Sequence, residues 1–227
     1  MANIPLLLTI AVLGGTGKEG KGLAYRWAKA GYHIHIGSRS VERAEAAAKE
    51  LLGLLEGEAH VDGMSNIDAA QKANIVVITV PYAAHKDTLE SVKDAIQGKL
   101  LIDVTVPLVP PKVATVQMPA AGSAAQEARQ IVGEGVQVAA AFQNISHEHL
   151  LNDDEDINCD VLVTGTTKEA RIETLKLVEA AGLTGWDSGP LENSVVLEGL
   201  TSILIGINKK YGSTHAGIKI TGANHTS

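Results

Sequence analysis

The chain has 227 residues, of which 45% are hydrophobic, enough for one large core or for a domain with a small appendage. Its net charge of −7 and its aromatic content of only 3% argue against a nucleic-acid-binding protein. The single cysteine, Cys159, excludes an internal disulfide, and we interpret it as a small apolar core residue. No apolar run could span a bilayer and no basic region precedes the first one. We therefore expect no signal peptide and a cytoplasmic location.

The first predicted unit is a strand, a glycine-rich turn and a helix. The apolar run Leu6–Leu13 predicts a strand buried on both faces, and residues 18–30 predict a helix. Between them, Gly15, Gly17 and Gly20 fit the pattern G-x-G-x-x-G. The first glycine permits a tight turn, the second lets a pyrophosphate approach the backbone, and the third lets the helix pack close to the strand. This context predicts a dinucleotide site.

The end of the second predicted strand, His33–Gly37, bears on which nicotinamide dinucleotide is bound. An NAD site would place Asp or Glu here to bond the ribose hydroxyls. This chain has Ser38 and Arg39 instead, and Arg43 lies one turn into the next helix. Guanidinium groups can bind a 2′-phosphate bidentately, which favours NADP. The alternative is that Ser40 caps the helix and both arginines are solvated.

Strands and helices continue to alternate, which predicts a parallel, doubly wound α/β sheet. Loops after strand ends line the cofactor crevice in such sheets, so Thr79, Val80 and Pro81 are candidate cofactor contacts. His85 is a further candidate, or alternatively a solvated helix residue. The proline-rich stretch 105–123 is predicted to be irregular and to lie over the substrate crevice. The predicted elements are helix 40–52, a strand near 59–61, helix 66–73, strand 74–80, helix 82–97, strand 99–104, helix 124–132 and strand 135–141.

The pattern changes after residue 145. We predict an NADP-binding Rossmann domain over residues 1–145 and a small C-terminal α/β domain over 146–227 that closes the substrate cleft. The last helix, about Glu192–Lys209, is apolar on most of its surface, which predicts burial against a neighbour and a homodimer. The other elements predicted in this part are strands 161–165 and 184–188 and helix 168–180.

No metal site and no catalytic side chain are predicted. His147–His149 lacks the H-E-x-x-H spacing, and the acidic run 152–156 lacks the spacing of a calcium loop, so we interpret it as a solvated turn. Two Tyr-x-x-x-Lys pairs, starting at Tyr25 and Tyr82, lie where a short-chain dehydrogenase would not use them, so we interpret both as chance matches. Hydride exchange between two redox cofactors can depend on positioning alone.

Three stretches together carry a family resemblance. They are VLGGTGKEGKGLAYRWAKAGYHIHIGSRSVERA, ITVPYAAH and DSGPLENSVVLEGLTSILIGINKKYG with the Gly217-Ile218-Lys219 that follows. Over about residues 10–219 the chain resembles the NADPH-dependent reductases of coenzyme F420, an 8-hydroxy-5-deazaflavin. The resemblance implies a Rossmann domain and a small C-terminal domain with the deazaflavin between them. It also implies hydride transfer between the nicotinamide C4 and the deazaflavin C5, with no covalent intermediate.

The resemblance also implies site residues. Two departures from the family pattern, Gln143 in place of a frequent His and a more extended segment 105–122, fall where the deazaflavin is expected. The alternatives are a reductase of another acceptor, such as flavin, a metal ion or a small imine, and an NADP-binding sensor without turnover. By position, Thr16, Gly17, Lys18 and Glu19 would wrap the pyrophosphate, Ser38, Arg39 and Arg43 would hold the 2′-phosphate, and Val80 and Ala141 would lie near the nicotinamide.

Overall fold

The computed structural model describes residues 8–55, 59–151 and 157–223. The predicted start of the first strand at Leu6 and the acidic run 152–156 lie outside these residues. Within them, no helix is both long enough and apolar enough to cross a bilayer. The elements in chain order are β1 (Thr9–Leu13), α1 (Lys18–Lys29), β2 (His33–Ser38), α2 (Val41–Leu54), β3 (Val61–Ser65), α3 (Asn66–Lys72), β4 (Ile75–Ile78), α4 (Tyr82–Val92), β5 (Leu100–Asp103), α5 (Ala124–Val132), β6 (Gln137–Ala140), α6 (His147–Leu150), β7 (Asp160–Gly165), α7 (Lys168–Ala180), β8 (Thr184–Pro190) and, after a 3₁₀ turn, α8 (Ser194–Tyr211).

The strands form one sheet in the order β3-β2-β1-β4-β5-β6-β7-β8. The first six strands are parallel and follow the order of a doubly wound dinucleotide-binding sheet. The chain leaves β1 in one direction to β2 and β3, and returns to the other side of β1 for β4. This confirms the predicted Rossmann-type α/β class and places a crevice where the strand order reverses.

Both faces of the sheet are covered, which explains why the four buried residues of β1, Ile10 to Leu13, are all apolar. Ile10 and Val12 belong to the core cluster under α1, α2 and α7, and Ala11 and Leu13 to the cluster under α3, α4 and α5. Alternate residues of a strand point to opposite faces, so a strand covered on both sides has no polar position. The predicted burial of the first strand on both faces is confirmed for the described residues.

The third strand lies further along the chain than predicted. It spans Val61–Ser65, whereas the sequence predicted a strand near residues 59–61. Its letters, VDGMS, lack a clear alternation, and Gly63 is there for a tertiary reason. A Cβ at Gly63 would overlap the backbone of Ala44 and Glu45 in α2, so only glycine lets that helix lie on the strand.

One strand pair departs from the predicted parallel sheet. Strands β6 and β7 are antiparallel, with Ala140 opposite Thr164. The described part of the connection between them contains the four-residue helix α6, and its first residues line the cleft at that edge of the sheet. Strand β7 therefore begins at that edge and runs back. Because β7 and β8 continue the same sheet, the division of the chain at residue 145 remains a prediction.

Several helix boundaries agree closely with the sequence, whereas α4 ends at Val92, five residues before the predicted end. Helices α5 and α7 have the predicted bounds, and α1 ends one residue before the predicted end. Gly31 follows α1 with φ of 96°, a conformation that favours glycine and ends the helix. The Ser40 side chain accepts a hydrogen bond from the Arg43 backbone amide at 3.3 Å, as predicted for an N-cap.

Candidate functional site

A cleft of about 720 Å³ opens at the carboxyl ends of the central strands. Such a volume is in the range of small-molecule sites. Its walls come from the turns after β1, β2, β4 and β5 and from residues 142–147. The structure brings together in these walls the following sequence-predicted site residues: Thr16, Gly17, Lys18, Glu19, Ser38, Arg39, Arg43, Thr79, Val80 and Pro81.

The glycine turn presents helix amides to the cleft. Gly17 is the N-cap of α1 and supplies no side-chain cap, so the first amides of the helix are available to an anion. Gly15 and Gly20 do not line the cleft but support it from behind. A Cβ at Gly20 would lie 2.5 Å from Thr79 Oγ1 and 2.8 Å from Gly15 Cα. The close packing of α1 on the turn therefore requires glycine at this position.

Two arginines flank the far side of the same cleft. Arg39 follows the last residue of β2, and Arg43 lies in the first turn of α2. Both side chains are exposed, and the described part of the chain shows no ion pair to either guanidinium group. The cap at Ser40 and the arginines in the cleft are both present, so the two interpretations of this segment are compatible.

Glu19 is a buried acid beside the glycine turn. Its Oε1 atom is buried and has no hydrogen-bond partner among the described residues. Burial raises the pKa of Glu19 to about 8, because the surroundings disfavour the charged form. At neutral pH the carboxyl group is therefore largely protonated and can donate a hydrogen bond.

The other end of the cleft lies after β4 and β5. Thr79 Oγ1 donates a hydrogen bond to the Leu13 carbonyl at 3.0 Å, which fixes the turn after β4 against β1. Val80 packs over the glycine turn, since a Cβ at Gly14 would lie 2.6 Å from Val80 Cγ1. The start of the irregular segment 105–123 lines the cleft through Thr105, Val106 and Leu108, as predicted.

His85 and Ala141 do not line the cleft. Both are fully buried, so the solvated alternative for His85 is wrong. His85 Nε2 lies 2.7 Å from Asp103 Oδ2, and Asp103 Oδ1 accepts from the Thr105 amide at 2.9 Å. Burial alone would lower the pKa of His85, but the charge of Asp103 and its hydrogen bond outweigh burial and raise it. His85 thus supports the wall of the cleft from behind.

A second buried acid connects the last helix to this network. Glu198 in α8 accepts hydrogen bonds from the backbone amides of Ala124 at 2.6 Å and Ala125 at 3.0 Å. These amides begin α5, where a helix favours negative charge. Burial, followed by the charge of Asp103, nevertheless raises the pKa of Glu198 to about 8. The contact fixes the C-terminal end of the segment 105–123 against α8.

The sequence reasoning missed two polar residues at the cleft, Asn66 and Asp103, and had named a third, Gln143, where the deazaflavin is expected. Asn66 and Gln143 line it, and each has a buried side-chain oxygen without a hydrogen-bond partner among the described residues. Asp103 lies beneath it, where its carbonyl accepts a hydrogen bond from Gln143 Nε2 at 2.8 Å. Asp103 occupies the last position of β5, a strand end whose polar residue could have been noticed. No comparable signal marked Asn66.

The chain turns sharply at the end of β6 to enter the cleft. Phe142 has φ of 75°, which is unfavourable for a residue with a side chain. The turn aims Gln143 at the cleft and buries the Phe142 ring edge-on to Trp27, with ring centroids 5.8 Å apart. His147, in the short helix α6, lines the cleft, whereas His149 lines a separate cavity. The two histidines therefore do not share a site.

The fold and the cleft define the class of protein: a Rossmann-type dinucleotide-binding protein with cationic side chains at the second strand. A family profile described as NADP oxidoreductase, coenzyme F420-dependent, matches residues 9–107. The F420-dependent NADP reductase of Methanothermobacter marburgensis is 41% identical over 220 residues, which cover 94% of this chain and 98% of that protein. The chain therefore belongs to the F420-dependent NADP reductase family.

Two further comparisons agree with this assignment. The F420-dependent NADP reductase of Methanocaldococcus jannaschii is 38% identical over 221 residues, covering 94% of this chain and 98% of that protein. A crystal structure from Arthrobacter sp. FB24, described as a candidate F420-dependent NADP reductase, superposes with a TM-score of 0.78. Its sequence is 23% identical, and the match covers 94% of this chain and 99% of that one, so it shows the shared fold.

Proposed function

We propose that the cleft binds NADP(H) along the glycine turn and coenzyme F420 beside it, and that a hydride passes directly between the two. As a member of its family, the chain is an NADP-dependent oxidoreductase that transfers hydride between NADP(H) and coenzyme F420. The observation that carries the choice of nucleotide is the pair Arg39 and Arg43, both without an ion-pair partner in the described residues, at the end of β2. A 2′-phosphate there would receive charge-assisted hydrogen bonds.

The site residues fit a dinucleotide diphosphate. The amides that follow Gly17 would donate hydrogen bonds to the pyrophosphate, with Thr16, Lys18 and Glu19 around it. Ser38, beside the arginines, would contribute a hydroxyl to the 2′-phosphate. A buried acceptor such as Asn66 Oδ1, without a partner among the described residues, is suited to a ligand N–H or O–H group.

The second substrate is proposed to lie between the segment 105–123 and the start of α4. Val80, Val106 and Leu108 offer an apolar surface for a planar ring, and the Gln143 oxygen offers a buried acceptor. Hydride transfer requires the two reacting carbons to be close and aligned, which packed walls provide without a covalent step. The residues of this chain would thus bind the two substrates, align their reacting carbons and exclude water.

A direct assay tests this proposal. The purified protein is mixed with NADPH and coenzyme F420, and loss of the deazaflavin absorbance is followed; the same reaction is run with NADH and with free flavin. We expect turnover with NADPH and F420 and little with either replacement. Transfer to flavin alone would favour a reductase of another acceptor, and NADPH binding without any turnover would favour a sensor.

We further propose that the chain is a homodimer and that residues 146–227 act as a small unit closing the cleft. The support for the dimer is the exposed apolar side of α8, on which Val196 and Ile203 are 64% and 52% exposed. The support for closure is Thr201 of α8, which reaches the cleft wall and donates to the Gln143 carbonyl at 2.7 Å. The cytoplasmic location remains a prediction from the sequence.

A further inference from the structure

A cluster of metal-binding side chains lies on the outer strands of the sheet, away from the cleft. It consists of His33 and His35 on β2 and Asp62 on β3. The two histidines are two residues apart on one strand, so they point to the same face. Asp62 pairs with His35 in the strand register and shares that face. The sheet itself therefore brings the three side chains together.

The three ligand atoms lie close to the spacing that they would have around one metal ion. His33 Nε2 lies 2.7 Å and His35 Nδ1 lies 3.5 Å from the same oxygen of Asp62, Oδ2. One ligand atom from each of the three residues lies within 4.8 Å of the others. Ligand atoms about 2.0–2.2 Å from a tetrahedral zinc ion are about 3.3–3.6 Å apart. Small side-chain rotations would therefore suffice for coordination.

His35 supplies an independent indication of a ligand. Its Nδ1 atom is buried and has no hydrogen-bond partner among the described residues, although it faces the other two side chains. A buried polar atom without a partner is costly and calls for an explanation. A metal ion bound at Nδ1 would supply the missing partner.

We propose that His33, His35 and Asp62 form a binding site for a divalent transition-metal ion, of which zinc is the best match. Two imidazoles and one carboxylate are ligands suited to zinc and its neighbours and less suited to magnesium or calcium. His33 and Asp62 have side-chain exposures of 37% and 55%, so an ion can enter from solvent. The fourth position is open to water or to His60, whose ring centroid lies 5.6 Å from that of His33.

The proposed role is to stabilise the edge of the sheet. Strand β3 lies at the edge of the sheet and pairs there with β2. An ion bound by both strands would cross-link them, in addition to the backbone hydrogen bonds between the strands. Lys72 is a positive charge near His35 that opposes the binding of a cation. The proposal is independent of the reaction in the cleft.

The test uses the full-length protein freed of metal with a chelator. Co²⁺ is added as a spectroscopic probe, because its visible absorption reports coordination by nitrogen and oxygen ligands, and Zn²⁺ binding is measured by calorimetry. The variants are His33→Gln and Asp62→Asn, both at half-exposed positions where folding should be retained. The matched control is His149→Gln with His215→Gln, a histidine pair elsewhere with ring centroids 4.9 Å apart.

We expect one saturable ion per chain in the wild type and in the control, with a rise in melting temperature on adding Zn²⁺. Each ligand variant should weaken binding by at least about tenfold, the loss seen on removing even an outer partner of a metal site. The absence of saturable binding would overturn the proposal and leave a simple strand-edge ion pair. Binding that survives in His33→Gln, or that disappears in the control, would overturn it equally.

Discussion

Arg39 and Arg43, which line the cleft, are the residues proposed to set the choice of cofactor. Their backbone positions are fixed by β2 and by the cap at Ser40, while their guanidinium groups have no ion-pair partner in the described residues. Long cationic side chains that are positioned by a strand end and a helix start, but not paired, are suited to an incoming phosphate. The preference for NADP over NAD should therefore be separable from the rest of the site.

The first prediction concerns these two arginines. Arg39→Ala and Arg43→Ala should each weaken NADPH binding by about 1.5–3 kcal/mol per lost charge-assisted hydrogen bond, with little effect on NADH, which lacks the 2′-phosphate. Calorimetric titration with both nucleotides checks this. Lys49→Ala removes an exposed charge from the same helix and should change neither affinity. Equal losses for NADPH and NADH would contradict the assignment of the 2′-phosphate.

The second prediction concerns Glu19 and pH. Burial raises its pKa in the folded protein from the ordinary 4.5 to about 8, so the folded state holds a proton that the unfolded state releases. Its contribution to stability is complete below about pH 4.5 and is lost as the pH rises through about 8. In this window Glu19 should make the free energy of unfolding fall by up to about 1.4 kcal/mol for each pH unit of increase. Glu19→Gln should abolish this part of the pH dependence.

Urea unfolding at several pH values measures this slope. The comparison with wild type isolates Glu19, because Glu198, with a similar shift, is present in both proteins. Glu45→Gln, at an exposed position of α2, is the control and should leave the slope as it is. An unchanged slope in Glu19→Gln would show that this side chain is ionised in the folded protein.

At the scale of elements, the contact between α1 and the glycine turn is the tightest that bears on the cleft. Gly20 faces Gly15 and Thr79 with no room for a methyl group, whereas Gly53, near the end of α2, has open space around its Cβ position. The same substitution should therefore have opposite effects at the two sites. The difference comes from packing, because both glycines lie in helices.

The third prediction uses this pair. Gly20→Ala should push α1 away from the turn, destabilise the protein by about 1–3 kcal/mol and weaken NADPH binding. Gly53→Ala should leave binding unchanged and stabilise the protein by up to about 1 kcal/mol, since alanine favours a helix. Thermal unfolding and nucleotide titration of both variants provide the test. A Gly20→Ala protein with wild-type stability and affinity would show that the turn is not held by close packing.

At the scale of the whole molecule, α8 has two different sides. One side is covered by the irregular segment, since Val116 lies 3.4 Å from the Cβ position of Gly199 and Ala114 lies 3.7 Å from that of Gly206. The other side carries apolar side chains that the described chain leaves exposed, Ile203 among them. An apolar stripe on a helix that also reaches the cleft is a suitable surface for a second copy of the chain.

The fourth prediction follows from this stripe. The wild type should elute as a dimer in size-exclusion chromatography with light scattering, and Ile203→Lys should shift it to a monomer. A charge in the middle of an apolar interface is costly unless it is paired. Leu54→Lys, at a site on α2 with the same 52% exposure, is the control and should remain dimeric. A monomeric wild type would overturn the predicted dimer.

Much of the molecule was determined by local sequence. The unit from β1 to α1, the helices α5 and α7, the cap at Ser40 and the basic end of β2 were all predicted from residues adjacent in the chain. Their physical causes are local: apolar runs, glycine conformations and side-chain caps act over a few residues. The irregular segment over the cleft was also predicted, because prolines exclude regular structure wherever they cluster.

The tertiary structure alone decided the features that depend on pairing across strands. It reversed the direction of β7, placed β3 around a glycine that α2 requires, and buried His85 on Asp103. It also assembled the three residues proposed to bind a metal, in a chain whose sequence predicted no metal site. Residues far apart in the chain meet only after strand order and register are set, and those depend on burial of the whole core, which no short window of sequence contains.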